Sequence, residues 1–250
     1  MTDSCDLLIL GDSHTTAIAR AFKTRGGLIA GRHVFVSRYQ TPKGETLIEG
    51  ILHDDGVAMF ADAGKNGVLV STLGGNQFNA FGMVQHPVPF DFYDPDIPTK
   101  SLLPDAAVVP VRAVEATFRR LMGVRDIDLL KRYRKAGAGR VFALAPPPPK
   151  EDDEFVRTRS ESLFRANGIE EAGVTPAIVR LKLWAVQVRL MREMFTPLKV
   201  EVIAPPSEAL TPVGFLAPEF YGKDATHANK EYGDMVLDLL DRVLPRSVQA

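Results

Sequence analysis

Hydrophobic residues along the chain cluster in short runs that do not alternate regularly with polar residues. Such runs are typical of strands that other elements cover on both faces. Longer stretches between several runs repeat their hydrophobic residues at helical spacing. Strands that alternate with helices predict an α/β protein with a mostly parallel sheet and right-handed crossovers. The predicted strands are residues 7–10, 33–39, 67–73, 140–145 and 200–204.

The spacing predicts helices over residues 14–24, within 106–136, from Pro176 to Pro197, and after Asn229. Pro176 follows a threonine, a combination that favours a helix start, and Asn229 is the expected N-cap of the last helix. We expect one or two helices in 106–136, with a break near Gly123.

Two further stretches, residues 77–104 and 146–174, do not fit the alternation of strands and helices. We expect them to be inserts within a single domain that spans residues 1–250. Long loops in compact domains are usually functional or mobile, and both inserts leave from the edge of the sheet where strands end. Aromatic residues in 77–104 and in 215–221 could therefore wall a pocket.

The composition mainly argues against several classes of protein. The chain has 250 residues, of which 45% are hydrophobic and 24% charged, as in an ordinary globular protein. A net charge of −1 argues against a nucleic-acid or membrane partner. The single cysteine excludes an internal disulfide, and no apolar run reaches the ~20 residues that span a bilayer. The short acidic N-terminal segment lacks the pattern of a signal peptide, which predicts a cytoplasmic protein.

Residues that could take part in catalysis follow the predicted strands. Ser13 follows the first strand, Gly44 the second and Asn76 the third, while Asp224 and His227 follow the last strand by a longer loop. In parallel sheets, sites form outside the carboxyl ends of the strands. We therefore expect these residues to gather at one edge of the sheet.

Each of these residues has both a catalytic and a structural interpretation. Ser13 could be a nucleophile or the N-cap of the next helix. Asn76 could donate to an oxyanion or serve a Gly-Gly-Asn turn. Asp224 could hold His227 in the tautomer that a general base needs, or both could be ordinary loop residues. We expect His14 to point away along the helix. The chain contains no zinc-ligand spacing, Walker loop or Gly-x-Ser-x-Gly motif, so we expect no metal or organic cofactor.

Taken together, Gly11-Asp12-Ser13, Gly74-Gly75-Asn76 and Asp224-x-x-His227 resemble the motifs of the SGNH (GDSL-type) hydrolase family. The resemblance covers most of the chain through four short blocks, of which the second, at Gly44, matches poorly. It implies a three-layer, flavodoxin-like fold with a five-stranded sheet and helices on both faces. Gln77 departs from the family pattern, in which aspartate commonly follows the asparagine.

By this resemblance, Ser13 would be the nucleophile, His227 the base and Asp224 its orienting partner. The oxyanion would be held by the Ser13 backbone N–H, Gly44 and the Asn76 side chain. The implied function is a serine esterase that hydrolyses a short acyl ester, for example an acetyl ester, of a carbohydrate or small alcohol. An acyltransferase would use the same residues. A binding protein without catalysis is the alternative from another class, and a nucleotide binder is disfavoured by the missing phosphate loop.

Overall fold

The computed structural model describes residues 5–43, 46–97 and 102–247. Its described residues form nine strands, five of which make one sheet with every neighbouring pair parallel. The strands are β1 (Leu7–Gly11), β2 (Val34–Arg38), β3 (Thr41–Lys43), β4 (Thr46–Ile48), β5 (Val68–Thr72), β6 (Phe90–Asp91), β7 (Ala107–Val108), β8 (Arg140–Leu144) and β9 (Val200–Ile203). The five-stranded sheet has the order β2-β1-β5-β8-β9. If these five strands are numbered by themselves along the chain, the order is 2-1-3-4-5, which is the flavodoxin-like order. All five predicted strands are confirmed.

Nine α-helices accompany these strands in the described ranges. They are α1 (Thr15–Arg25), α2 (His53–Asp62), α3 (Gln77–Gly82), α4 (Val111–Ala136), α5 (Asp153–Thr158), α6 (Ser162–Ala166), α7 (Ile169–Ala172), α8 (Ala177–Phe195) and α9 (Lys230–Val243). The predicted cap is confirmed, because Asn229 accepts a hydrogen bond from the Tyr232 N–H of α9 at 3.0 Å. Pro176 lies immediately before α8, as expected.

The predicted break near Gly123 is wrong, since α4 runs without interruption from Val111 to Ala136. Glycine in a helix interior costs about 1 kcal/mol relative to alanine. On both sides of it α4 places large side chains in the core, including Phe118, Met122 and Leu130. Tertiary burial of this kind stabilises a helix more than one unfavourable residue weakens it.

Successive side chains of β1 point to opposite faces of the sheet, and each face has its own hydrophobic core. Leu8 and Leu10 pack in one core with residues of α2, α4 and α8. Leu7 and Ile9 pack in the other with residues of α1 and α9. The protein therefore has three layers, with helices on both faces of a buried sheet.

The two inserts carry short elements. Residues 77–104 contain α3 and β6, and residues 146–174 contain α5, α6 and α7. A single domain over the whole chain stays a prediction. None of the helices within the described ranges is long and apolar enough to cross a membrane.

Close packing against β5 explains why position 11, before Asp12 and Ser13, is a glycine. A Cβ added to Gly11 would lie 2.1 Å from Thr72 Oγ1 and 2.9 Å from Thr72 backbone atoms of β5. The Thr72 hydroxyl is itself hydrogen-bonded to the Thr15 hydroxyl at 2.7 Å. We expect Gly11→Ala to lower the free energy of unfolding by about 1–3 kcal/mol or more, measured by chemical denaturation.

Gly123→Ala is the matched control, because a Cβ added there meets no atom within 4 Å apart from its chain neighbours and the backbone of α4 itself. It should raise the free energy of unfolding by up to about 1 kcal/mol through helix propensity alone. If Gly11→Ala were as stable as the wild type, the close approach of β1 to β5 would be wrong.

Candidate active site

Ser13 lies in the turn between β1 and α1, at the carboxyl edge of the sheet. The turn is held by backbone hydrogen bonds from Thr15 N to Asp12 O at 3.1 Å and from Thr16 N to Ser13 O at 3.0 Å. His14, not Ser13, occupies the cap position of α1, and no side chain caps this helix. The Ser13 hydroxyl is therefore free of the capping role that was its structural interpretation.

Asp224 and His227 form the hydrogen-bonded pair that their spacing suggested. Asp224 Oδ2 lies 2.9 Å from His227 Nδ1. Its other oxygen, Oδ1, accepts the backbone N–H groups of Thr226 at 3.2 Å and of His227 at 2.8 Å. One carboxylate thus fixes both the loop and the ring. Burial acts to raise the pKa of Asp224, but the hydrogen bond from His227 and the charge of that ring outweigh it and lower the pKa to about 2.

Ser13, Asp224 and His227 line one cavity of about 750 Å³ at the carboxyl ends of the strands. The structure therefore brings together residues from the two ends of the chain. No hydrogen bond joins the Ser13 hydroxyl to the His227 ring among the described residues, although both face the same space. Tyr221, from the aromatic stretch 215–221, lines this cavity. The aromatic residues of the other stretch do not line it in the part that the structure describes.

The other two predicted oxyanion residues are Asn76 and Gly44. Asn76 is exposed, directly before α3, and its side chain does not cap that helix. It is not among the residues that line the cavity. Gly44 lies outside the described residues. The assignment of both residues to an oxyanion hole stays a prediction.

The expectation for His14 is wrong, because its ring turns into the protein. It lies against the His227 ring, with the ring centroids 5.4 Å apart. A Cβ added to Gly75 would be 3.0 Å from His14 Cδ2, so this glycine leaves space for the imidazole. Burial, followed by the positive charge of His227, lowers the pKa of His14 to about 3, although Gly75 and Asn76 oppose the shift. His14 is therefore neutral near His227.

Sequence reasoning missed Glu161, which comes from the insert 146–174. Its Oε1 lies 3.8 Å from His227 Nδ1 and accepts a hydrogen bond from the Thr226 hydroxyl. The Thr226 hydroxyl lies 3.2 Å from the same ring nitrogen. Two carboxylates and a hydroxyl thus surround one side of the histidine. The only hint in the sequence was that this charged insert leaves from the same sheet edge.

Glu161, Asp224 and His227 are also the group in the described ranges that could hold a metal ion, with ligand atoms within 4.8 Å of one another. However, His227 Nδ1 already binds Asp224 at 2.9 Å. A metal on this nitrogen would have to replace that hydrogen bond. We therefore assign the three side chains to a hydrogen-bonded arrangement and not to metal binding.

Lys150 supports the same loop from inside the protein. Its ammonium group donates to the backbone carbonyls of Gly222, at 3.3 Å, and Asp224. It also lies over the rings of Phe155 and Tyr221, at 4.6 and 5.0 Å from their centroids. Burial lowers the pKa of Lys150 to about 8, against the charges of Asp224 and Glu161. This role could not be predicted from the sequence, because the lysine follows four prolines in a loop.

The hydrogen bonds of Gln77 explain why glutamine, and not aspartate, follows Asn76 in this chain. Its amide nitrogen donates to Asp126 Oδ2 at 3.3 Å, and its amide oxygen accepts from Gln187 Nε2 at 2.9 Å. Asp126 is buried and is bound by Arg125, which also pairs with Asp12. An aspartate at position 77 would bring a second carboxylate against Asp126. The departure from the family pattern is therefore explained by local packing.

The depressed pKa of Asp224 predicts how stability depends on pH. The folded value, about 2, lies below the ordinary value of 3.8, so the ionised pair stabilises the protein above about pH 4. This contribution is lost as the pH falls through about 2. We expect the difference in the free energy of unfolding between wild type and Asp224→Asn to shrink over that range, measured by urea denaturation. A difference independent of pH would contradict the assignment of the shift to this pair.

No family model and no curated protein matches the chain in sequence. Several solved structures are similar to it in fold over most of its length. One is a carbohydrate acetylesterase from Sinorhizobium meliloti, 14% identical with a TM-score of 0.44, covering 95% of this chain and 97% of that chain. Another is a GDSL-like lipase from Bacteroides thetaiotaomicron, 13% identical with a TM-score of 0.40, covering 98% and 91%. A third is the periplasmic domain of a lipopolysaccharide acetyltransferase from Salmonella ser. Paratyphi A, 10% identical with a TM-score of 0.47, covering 95% and 82%.

Proposed function

We propose that the protein is a serine esterase of the SGNH type that hydrolyses a short acyl ester of a carbohydrate or small alcohol. One observation carries the proposal. Asp224 binds His227 Nδ1 at 2.9 Å, and the ring faces the cavity that Ser13 also lines. With Nδ1 engaged, Nε2 is the nitrogen that remains to accept a proton. A hydroxyl, a base and an orienting carboxylate then have the roles that acyl transfer requires.

The proposed reaction has two steps. His227 Nε2 takes the Ser13 proton while Ser13 Oγ attacks the ester carbonyl, and the backbone N–H of Ser13 donates to the oxyanion. The carbon–oxygen bond to the alcohol then breaks, and His227 returns the proton to the leaving oxygen. Water, deprotonated by His227, then attacks the acyl-enzyme. The bond between the acyl carbon and Ser13 Oγ breaks, His227 returns the proton to Ser13 Oγ, and the acid is released. Asp224, which stays ionised above about pH 2, stabilises the imidazolium that forms in each step.

The neighbouring groups suit this role for His227. His14 is neutral, so it adds no repulsion when the His227 ring becomes charged. Thr226 and Glu161 limit the movement of the ring on its Nδ1 side. A cavity of about 750 Å³ is large enough for a sugar or small alcohol with a short acyl group. A cytoplasmic location stays a prediction.

An acyltransferase and a non-catalytic binding protein are the alternatives. The test is hydrolysis of a chromogenic acetyl ester by the purified chain beside Ser13→Ala, with free acetate measured in the presence and absence of a sugar acceptor. An esterase releases chromophore and acetate in equal amounts. Release of chromophore with acetylation of the sugar in place of free acetate would indicate an acyltransferase. Equal background rates for both chains would remove the enzymatic proposal and favour a binding protein.

A further inference from the structure

The wall of the cavity around Ser13 and His227 carries more positive than negative side chains. Its acidic members are Asp224 and Glu231, and its basic members are Arg20, Arg38, Lys223 and Lys230. The chain as a whole has a net charge of −1. The positive charge is therefore concentrated at the site and is not a property of the entire surface.

One of the two carboxylates on this wall is already engaged, whereas three of the four basic side chains form no ion pair with a described residue. Asp224 binds His227, and Lys230 pairs with Asp234 at 3.4 Å. Across residues 5–43, 46–97 and 102–247, the other three basic side chains of the wall form no ion pair. Glu231 is the one carboxylate of the wall without a described partner. Three unpaired cations thus face one unpaired anion, which leaves a positive potential in the cavity. The three are Arg20, Arg38 and Lys223.

Arg38 is the most informative of the three. It ends β2 and lies beside Gly11 in the register of the sheet, two residues before the candidate nucleophile. Its side chain is half-buried, and its one described side-chain hydrogen bond, to Thr41 Oγ1, is long at 3.4 Å. Its Nε is buried without a partner in the described part of the chain. A guanidinium in a cavity wall with unused donors is suited to bind a carboxylate or phosphate through two parallel hydrogen bonds.

The cavity wall therefore combines excess positive charge with a guanidinium group that has few hydrogen-bond partners among the described residues. Both properties favour a ligand rich in negatively charged oxygen.

We propose that the ester substrate carries an anionic group, a carboxylate or a phosphate, which Arg38 binds while Arg20 and Lys223 add positive potential. This inference rests on the proposed esterase function. Because the proposed acyl group is short, the anionic group belongs to the alcohol or sugar part of the ester. Arg38 would then be a specificity-determining residue that acts on substrate binding, separate from the groups that move protons.

The test compares three acetyl esters of para-substituted phenols that differ in charge. They are para-acetoxybenzoate, para-acetoxyphenyl phosphate and the neutral para-acetoxybenzamide. We expect kcat/KM of the wild type to be higher by about tenfold or more for at least one anionic ester than for the amide, through a lower KM. Raising the salt concentration from about 50 to about 500 mM should reduce this preference by screening. The ester with the larger preference identifies carboxylate or phosphate as the favoured group.

Arg38→Gln should abolish the preference, and chemical denaturation of the variant beside the wild type shows that it is folded. Arg112→Gln is the control, because Arg112 is exposed on α4 and does not line the cavity. It should keep the wild-type preference. Equal rates on all three esters in the wild type, or a preference that survives in Arg38→Gln, would overturn the inference while leaving the esterase proposal intact. Failure to hydrolyse any of the three would instead count against the proposed function.

Discussion

Replacing Ser13 with alanine is expected to lower kcat/KM for an acetyl ester by about 10⁴- to 10⁶-fold. The variant has no nucleophilic oxygen, so no acyl-enzyme can form. Stability should change little, because the Ser13 hydroxyl neither caps α1 nor forms a hydrogen bond with another described side chain. The measurement is the steady-state rate on a chromogenic acetyl ester, with the free energy of unfolding determined beside it.

Ser207→Ala is the control for this change. Ser207 is exposed in a short 3₁₀ turn and does not line the cavity, and its hydroxyl contacts Glu208 at 2.9 Å. It should keep the wild-type rate. If Ser13→Ala retained more than about a tenth of the activity, a residue other than Ser13 would have to attack the ester.

Asp224→Asn is expected to lower kcat by about 10⁴-fold. Asparagine can keep one oxygen in place to accept the backbone N–H groups of Thr226 and His227, so the loop should stay folded. Its amide nitrogen would replace Oδ2, the atom that lies 2.9 Å from His227 Nδ1. A donor at this position favours the tautomer in which Nε2 carries the proton, and that tautomer cannot accept the proton of Ser13.

Asp128→Asn provides the matched control on an exposed helix surface. Asp128 pairs with Lys131 at 3.6 Å and lies on α4, outside the cavity wall. Such exposed pairs contribute less than about 1 kcal/mol, so neither activity nor stability should change much. A loss of less than about tenfold in Asp224→Asn would contradict the role of Asp224 in setting the tautomer of His227.

The sheet could be predicted from the sequence because its strands are buried on both faces and therefore appear as short hydrophobic runs. The observed strands differ from the predicted ones by at most one residue at either end. The interruption expected at Gly123 was wrong because a prediction from neighbouring residues alone does not include tertiary contacts. Helix propensity there is weak, but the core contacts of α4 that compensate for it come from distant parts of the chain. The short helices of residues 146–174 were not predicted, because they carry no extended periodicity.

The candidate site was predictable where its contacts are local or follow from the order of the strands. Asp224 and His227 are three residues apart, and the rule for parallel sheets places both near Ser13. The orientation of His14 was not predictable, because it depends on the backbone at the start of α1. Glu161, Lys150 and Arg38 were not found because their contacts depend on how loops from separate strands fold over the same edge.

The central claim is that Ser13 is the nucleophile and that His227 activates it. Labelling of the purified chain with a fluorophosphonate, followed by mass spectrometry of its peptides, tests this claim most directly. We expect one phosphonyl adduct, on Ser13, that forms with loss of esterase activity and is strongly slowed in His227→Ala. An adduct on another residue, or full inactivation with Ser13 unmodified, would contradict the account.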